Sequence, residues 1–520
     1  MDNSIDLQKI IAQKDAEIAR LEALVKYYEE ALKLSKIRCF APKSEKKGYV
    51  QFSVFGDEEN AVVKNEPEPE PELETITYTR KKKKKGKRKD DLSRLPVEVV
   101  EHELPEGSTC PECGGPAHKC FHEVRKELKI VPAKVIVVEH RQAVYGCRNC
   151  ENNNDHVPVI KAPMPEPLIK SSLASPSAVS YIMYQKYVMC APLYRLEKDF
   201  ERLDAVLSRQ TMSNWVIRCA DKQLKPLYNR LHESLVGRDV LHADESPLQV
   251  LNEPGRPATS ESYMWLYRTS GDTEQHIVLY EYQQTRAGKH PKKFLEGFGG
   301  FLHVDGWAAY HALLLLQVVL VGCWVHLRRK FTDAIKTIPE AERAGSVANA
   351  ALARIGWLFH LEDGWADLSP DERYKLRLKE SKPKADKFFV WLKSTNILPK
   401  TATGRAINYA QEQQKYLMNV YLDGRLEFSN NRIENSVRPY ALGRKNWLFC
   451  NTESGAEASA IVYTIIETAK ANGLKPFEYL EFLLSAPPAS TADDADALLP
   501  WGSSVPEHCR MMAFPLARSA

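Results

Sequence analysis

Asp239-Val-Leu-His-Ala-Asp-Glu-Ser-Pro-Leu-Gln-Val-Leu251 is an apolar run of strand-forming residues interrupted by acids, with Asp244 near its centre. Two further strand-like runs follow, Ser262–Thr269 (SYMWLYRT) and His276–Tyr282 (HIVLYEY). Next, Gly300-Phe-Leu-His-Val-Asp-Gly-Trp307 places Asp305 at the end of an apolar run and before a glycine. A fifth strand is expected within Val318–Val325, ending in the basic stretch His326-Leu-Arg-Arg-Lys-Phe331.

Three meandering strands, a fourth with an acid at its tip and a fifth after a crossover make the ribonuclease-H-like order. A first-strand acid and a fourth-strand acid then lie side by side. Carboxylates flanked by hydrophobic residues are costly unless paired with a cation. Such a pair can hold divalent metal ions that activate one oxygen and stabilise another. A third acid is expected from a helix packed on these strands. Ser429-Asn-Asn-Arg-Ile-Glu-Asn-Ser-Val-Arg-Pro439 offers Glu434, followed by the cations and aromatic of Leu442-Gly-Arg-Lys-Asn-Trp-Leu-Phe449. Two other readings of Glu434 stand beside that one: a capping box with Asn431, or an ion pair with Arg438 four residues on.

The rest of the 520-residue chain is divided by composition. Ile11, Ile18, Val25 and Leu32 form one heptad seam and Leu7, Lys14, Leu21 and Tyr28 a second, as in a short two-stranded coiled coil or an ordinary amphipathic helix. From Phe40 to about Leu95 the chain reads as linker, with EPEPEPELE at Glu66–Glu74 and RKKKKKGKRK at Arg80–Lys89. The basic run is either a solubilising tail or a flexible arm on nucleic-acid phosphates, which would position the protein without reading bases. Cys110-Pro-Glu-Cys113 and Cys147-Arg-Asn-Cys150, 33 residues apart, have the spacing of one tetrahedral zinc site, and LKIVPAKVIVVEHRQAVYGC between them alternates like ribbon strands. Four cysteines leave no open position, so this zinc is structural. Helices follow the Pro-rich joint, over Ala178–Glu233. Leu193–Phe200 and Leu207–Trp215 resemble helix, turn, helix, with Ser208 as N-cap, but helical hairpins are also ordinary core elements.

The 72 Lys+Arg against 68 Asp+Glu give a net charge of only +4, which excludes no class of partner. With 43% hydrophobic and 27% charged residues the chain can bury a core, and eleven cysteines are too few for a disulfide scaffold. The charged N-terminus lacks the apolar segment of a secretory signal, and the most apolar run, Ala312–Val325, is 14 residues long, short of the roughly 18 needed for a bilayer span. A soluble, cytoplasmic protein with no membrane partner is expected.

HADESP, HVDGWAAY, CWVHLRRKF, SNNRIENSVRP and GRKNWLF, in this order, together resemble the transposases of the insertion sequence 66 family. The cysteine pairs, the N-terminal heptad and the closing Leu498-Leu-Pro-Trp501 extend the resemblance over nearly the whole chain. It implies a multidomain α/β protein whose ribonuclease-H-like DDE core carries Asp244, Asp305 and Glu434 as an acidic triad for Mg2+ (or Mn2+). It also implies a helical insertion between the second Asp and the Glu, for which residues 306–433 leave room.

The expected division is a coiled coil over 1–38, a charged linker with its basic arm over 39–94, a four-cysteine zinc ribbon over 95–160 and a helical DNA-binding region over 161–235. The core would follow in two parts, 236–332 and 416–485, around an insertion at 333–415, and a tail would run from 486 to 520. The implied activity is cleavage at element ends and strand transfer into target DNA. His326, Arg328, Arg329, Lys330, Arg444 and Lys445 would meet the phosphates. The implied partners are end and target DNA, further copies of the chain on DNA, and accessory proteins of the same element. A catalytically inactive, DNA-binding relic would have no physical reason to retain all three acids, and an RNA- or junction-directed nuclease would lack the insertion. Residues after Trp501 fall outside the resemblance and read as a frameshifted or read-through end.

Overall fold

The computed structural model describes residues 133–146 and 159–511, together with Lys14, Val25 and Val99. The heptad other than helical Lys14 and Val25, the linker, the basic arm, the four cysteines Cys110, Cys113, Cys147 and Cys150, and residues 512–520 lie outside the described residues.

β1 (Val144–Gly146) and β2 (Val159–Lys161) pair antiparallel, with Tyr145 opposite Ile160. The alternating stretch before them, expected as strand, has no regular structure over 133–143. Alternation makes a strand only where a neighbouring ladder accepts its hydrogen bonds.

Four helices follow: α1 (Pro176–Tyr187), α2 (Leu193–Arg202), α3 (Arg209–Cys219) and α4 (Lys225–Val236). Ser175 and Ser208 cap α1 and α3 by accepting the N–H groups of Ala178 and Thr211 (3.2 and 3.1 Å). Met212, Trp215, Val216 and Cys219 turn one face of α3 into the main core.

The central sheet contains β3 (Val240–Asn252), β4 (Glu261–Thr269) and β5 (Val278–Gln283), then, after α5 (Lys289–Phe294), β6 (Phe301–Val304) and β7 (Val319–Gly322). Its order is β5-β4-β3-β6-β7, antiparallel through the first three and parallel from β3 to β7. The apolar run Ala312–Val325 is not one element. A 3₁₀ segment ends at Leu316, Gln317 adopts a left-handed conformation (φ 61°), and β7 occupies only Val319–Gly322. The basic stretch therefore lies not at a strand end but on α6 (Trp324–Lys336), where Trp324, Leu327, Phe331 and Ala334 repeat at helical spacing and are buried.

From α6 the chain runs through α7 (Glu340–Arg343), α8 (Val347–Gly364), α9 (Pro370–Leu376), α10 (Lys382–Ser394) and α11 (Ala402–Met418). Of these, α6, α8, α10 and α11 share a second apolar cluster centred on Trp324, Phe331, Ile355, Phe388, Phe389 and Phe428. Within it Arg377, 1% exposed, is matched by the Glu362 carboxylate (2.9 and 2.6 Å).

The chain returns to the sheet as α12 (Asn431–Trp447), β8 (Cys450–Thr452), α13 (Glu453–Ala471), α14 (Pro476–Ser485) and α15 (Ala492–Leu498). β8 pairs parallel with the far end of β3. Apolar nearly all round, α13 is buried, and its threonines close the outer edge of β5. Thr468 and Thr464 accept the N–H groups of Val278 and Tyr280 (3.1 and 2.9 Å), groups that would otherwise offer an unpaired edge. The segment after Trp501 is integrated rather than appended. Cys509 is fully buried, and Met511 donates its N–H to the Gly473 carbonyl (2.7 Å).

Candidate active site

Parallel pairing of β3 with β6 sets Val240 opposite Phe301, Leu241 opposite Leu302 and His242 opposite His303. Continuing that register by two residues brings Asp244 level with Asp305, on the face shared by the two histidines, because strand side chains alternate. The histidine rings beneath them stack with centroids 4.4 Å apart and planes 11° from parallel, both fully buried. Burial holds both imidazoles below their usual pKa, His303 furthest, so the stack is uncharged.

Glu434 is presented by the first turn of α12, and Asn430 sets where that turn begins. Asn430 rather than Asn431 precedes the helix, and its side chain makes no capping bond; the Glu434 N–H bonds the Asn430 carbonyl instead (3.2 Å). The side chain of Asn430, 1% exposed, reaches into the sheet. Its Oδ1 accepts from His242 Nδ1 (2.8 Å) and its Nδ2 donates to the Ala243 carbonyl (3.0 Å). Its backbone N–H meets Cys323 Sγ (3.2 Å) at the start of α6. One buried amide thus ties the strand of Asp244, the helix of Glu434 and the helix of His326. Freed from a capping box, the Glu434 carboxylate faces His326 Nε2 (3.7 Å) and Arg329 (3.9 Å) from α6, not Arg438.

The electrostatics are those of crowded acids. Burial, the first cause, and then the charges of Glu245, Asp305 and Glu434 push the Asp244 carboxyl well above the usual carboxylate range, against a hydrogen bond from the Glu245 N–H (2.9 Å). Burial also raises Glu245, which the Tyr310 hydroxyl (2.6 Å) and Arg286 (Nε 2.7 Å) draw back. Asp305 accepts the Trp307 backbone N–H (3.0 Å). Burial lowers His326, leaving a neutral imidazole beside Glu434.

Four buried atoms of the site, Glu434 Oε1, His326 Nδ1, His242 Nε2 and His303 Nδ1, have no hydrogen-bond partner, a state that native proteins rarely leave unanswered. Among the described residues no three His, Cys, Asp or Glu side chains stand close enough to hold one ion between them. This donor set still fits Mg2+, which is usually held by one or two carboxylates with water and substrate phosphate completing the octahedron. A cation here would offset the crowding of acids that, after burial, raises the Asp244 carboxyl.

The cations expected at phosphates are spread over two helices. Arg329 joins Glu434, whereas Arg328 lies over Phe359 (5.7 Å) and Lys330 over Tyr409 (5.2 Å). Arg444 is half-buried and donates to the Pro247 carbonyl; Lys445 is exposed. Both lie about 15 Å along α12 from Glu434, at 1.5 Å per residue. Sequence reasoning passed over His242, Glu245, Arg286, His303 and Asn430. A signal was present for two of them, since His-x-Asp occurs in both acid-bearing strands.

An acid pair on adjacent parallel strands is thus faced by a helix-borne glutamate, and the sequence comparisons place the chain that carries them in a family. Residues 171–458 match the family model described as transposase IS66 family, and the chain belongs to that family. Residues 108–151 match the zinc-finger binding domain of transposase IS66, residues 464–501 the IS66 C-terminal element, and residues 27–100 the model described as transposase C of IS166 homeodomain. The chain is similar to uncharacterized protein y4qI of Sinorhizobium fredii (strain NBRC 101917 / NGR234), 32% identical over 421 residues, or 78% of this chain and 75% of that one. Uncharacterized protein y4jD of the same organism is 29% identical, over 78% of this chain and 81% of its own. No described helix is long and apolar enough to cross a membrane.

Proposed function

We propose that this chain is a DNA transposase that hydrolyses the phosphodiester at the ends of its element and joins the freed 3′-hydroxyl to target DNA. The observation that carries this reading is the β3–β6 register, which sets Asp244 beside Asp305 while α12 brings up Glu434. The strand order β5-β4-β3-β6-β7 supports a ribonuclease-H-like core, and the run of helices from α7 to α11, of which α8, α10 and α11 pack with α6 in a second apolar cluster, supports an insertion within it.

In this reading Asp244 and Asp305 hold Mg2+ or Mn2+ and Glu434 completes the site. When bound, the metal activates the attacking oxygen and offsets charge on the leaving oxygen. The protein's own groups position and screen. Arg329 and neutral His326 flank the Glu434 carboxylate at 3.9 and 3.7 Å. Arg328 and Lys330 on α6 and Arg444 and Lys445 on α12 would meet the DNA backbone, and phosphate contacts of this kind set register rather than sequence. Cys110, Cys113, Cys147 and Cys150 hold a structural zinc, within the segment matching the family's zinc-finger model. Because two ends must be held together, the working form has at least two protomers.

The test is strand transfer in Mg2+ with Asp244→Asn. Loss of joined product, with DNA binding retained, is expected; activity near that of the unsubstituted chain would exclude the assignment. An unsubstituted chain that binds DNA but neither cuts nor joins it, in Mg2+ or Mn2+, would be the inactive relic.

A further inference from the structure

The turn after β6 carries more than Asp305. The carboxylate of Asp305 holds the Trp307 N–H (3.0 Å), yet the Trp307 side chain is 38% exposed. An indole that only fills space is buried, as Trp265 and Trp324 are. Over the ring of Trp307, 3.8 Å from its centroid, lies the guanidinium of Arg286, close enough for a cation–π contact. Arg286 is itself clamped by Glu245 (Nε 2.7 Å), whose second oxygen takes the Tyr310 hydroxyl (2.6 Å). Glu245 is the residue next to Asp244. The aromatic and its guanidinium backing are therefore fixed to both acid-bearing strands, at the exposed rim of the carboxylates.

We propose that Trp307, backed by Arg286, is a stacking subsite for a single unpaired nucleobase next to the phosphodiester being processed; this rests on the reading of the site as one that acts on DNA. Every base offers a π face, so such a platform accepts a base without selecting its identity, and Trp and Arg are the side chains that stack on bases most readily. The base lies on the indole face opposite Arg286. Trp307 is two residues from Asp305, within about 7 Å along an extended chain, so the stacked base is the one flanking the phosphate at the acids. Holding it out of the duplex would open the strand end for attack.

The probe is a duplex ending in one unpaired 2-aminopurine, with a blunt duplex as control, bound to the full-length chain carrying Glu434→Gln so that the DNA stays intact. Stacking on Trp307 quenches the fluorophore. Trp307→Leu should lose the quench and weaken binding of the overhang duplex by about five- to a hundred-fold, the worth of one base–aromatic stack. Trp307→Phe should restore most of both, and blunt-duplex affinity should be unchanged in all three proteins. Replacing the unpaired base by an abasic site should cost the same factor on a chain with Trp307 intact, a comparison that folding of a variant cannot disturb. Equal affinity for the abasic and complete overhangs, or an unaltered quench in Trp307→Leu, overturns the proposal. A chain that stacks the base but joins no strands in Mg2+ refutes transposition and supports the subsite. One that joins strands while the overhang behaves as blunt DNA refutes the subsite alone.

Discussion

Replacing Asn430 by alanine tests how Glu434 is held in place. Two buried hydrogen bonds vanish, His242 Nδ1 to Oδ1 (2.8 Å) and Nδ2 to the Ala243 carbonyl (3.0 Å), and in each case the surviving partner is left buried. An unsatisfied buried group costs about 1–3 kcal/mol, so the pair predicts a loss of roughly 2–6 kcal/mol. The consequence for the site is separate. The Glu434 N–H bonds the Asn430 carbonyl, so any shift of Asn430 away from β3 passes directly to the turn that bears the carboxylate. A displacement near 1 Å can cost about a hundred-fold in rate. Asn430→Asp keeps the acceptor for His242 but sets a carboxylate against the Ala243 carbonyl, and should be no better than alanine. Equilibrium urea unfolding followed by tryptophan fluorescence reads the first effect, and single-turnover cleavage of an end-bearing duplex reads the second. Stability within about 0.5 kcal/mol of the unsubstituted protein, together with cleavage within about three-fold, would show that Asn430 does not anchor the helix.

Two further expectations address the body and the ribbon. Burial raises the Glu281 carboxyl from 4.5 to about 7, against hydrogen bonds from Gln283 (2.6 Å) and Tyr267 (3.3 Å). Its folded-state pKa lies above its unfolded one, so its contribution is complete below pH 4.5 and lost as pH rises through about 7. Glu281→Gln should then stabilise the protein by about 3 kcal/mol at pH 8 and by less than about 0.5 kcal/mol at pH 4.5, measured as the difference between paired unfolding curves; an equal gain at both pH values would sink the argument. Zinc removal should expose residues of the segment 108–151 to protease before the body is cut, since four thiolates supply much of the folding free energy of so small a module. A ribbon as resistant after chelation as before would mean that it stands without metal.

What could be read in the sequence was whatever depends on neighbours in the chain. The strands of the sheet are apolar, β-branched runs broken by turns, and Asp244 and Asp305 stand out as acids inside them. Ser208 announced its helix by the local rule for caps, and accepts the Thr211 N–H as that rule requires. The rest depends on distant partners. Asn430 looks like a turn former until His242, 188 residues away, is seen to donate to it. Arg286 carries no motif, because Glu245 is 41 residues earlier and Trp307 arrives only after β6. The strand expected within Val318–Val325 is there, but it stops at Gly322, where the helical spacing of Trp324, Leu327 and Phe331 takes over from the apolar run. Pro439 lies within α12, where local propensity alone would have ended it.

The repeated His-x-Asp shows how the core converts local pattern into placement. Sliding β6 by one residue against β3 would swap every side chain to the opposite face, so Asp305 would leave Asp244 and meet the apolar side of the sheet. The acids cannot resist that slip, because they repel each other. The histidines two residues before them can. Fully buried, uncharged and stacked at 4.4 Å, they gain contact only in the register observed, and each is tied to the returning chain, His242 through Asn430 and His303 through the Glu427 N–H (3.3 Å). Neutrality is essential to this arrangement, since two imidazolium rings at that distance would repel as the acids do. The sheet therefore holds two acids together by pairing, directly beneath them, two rings that carry no charge.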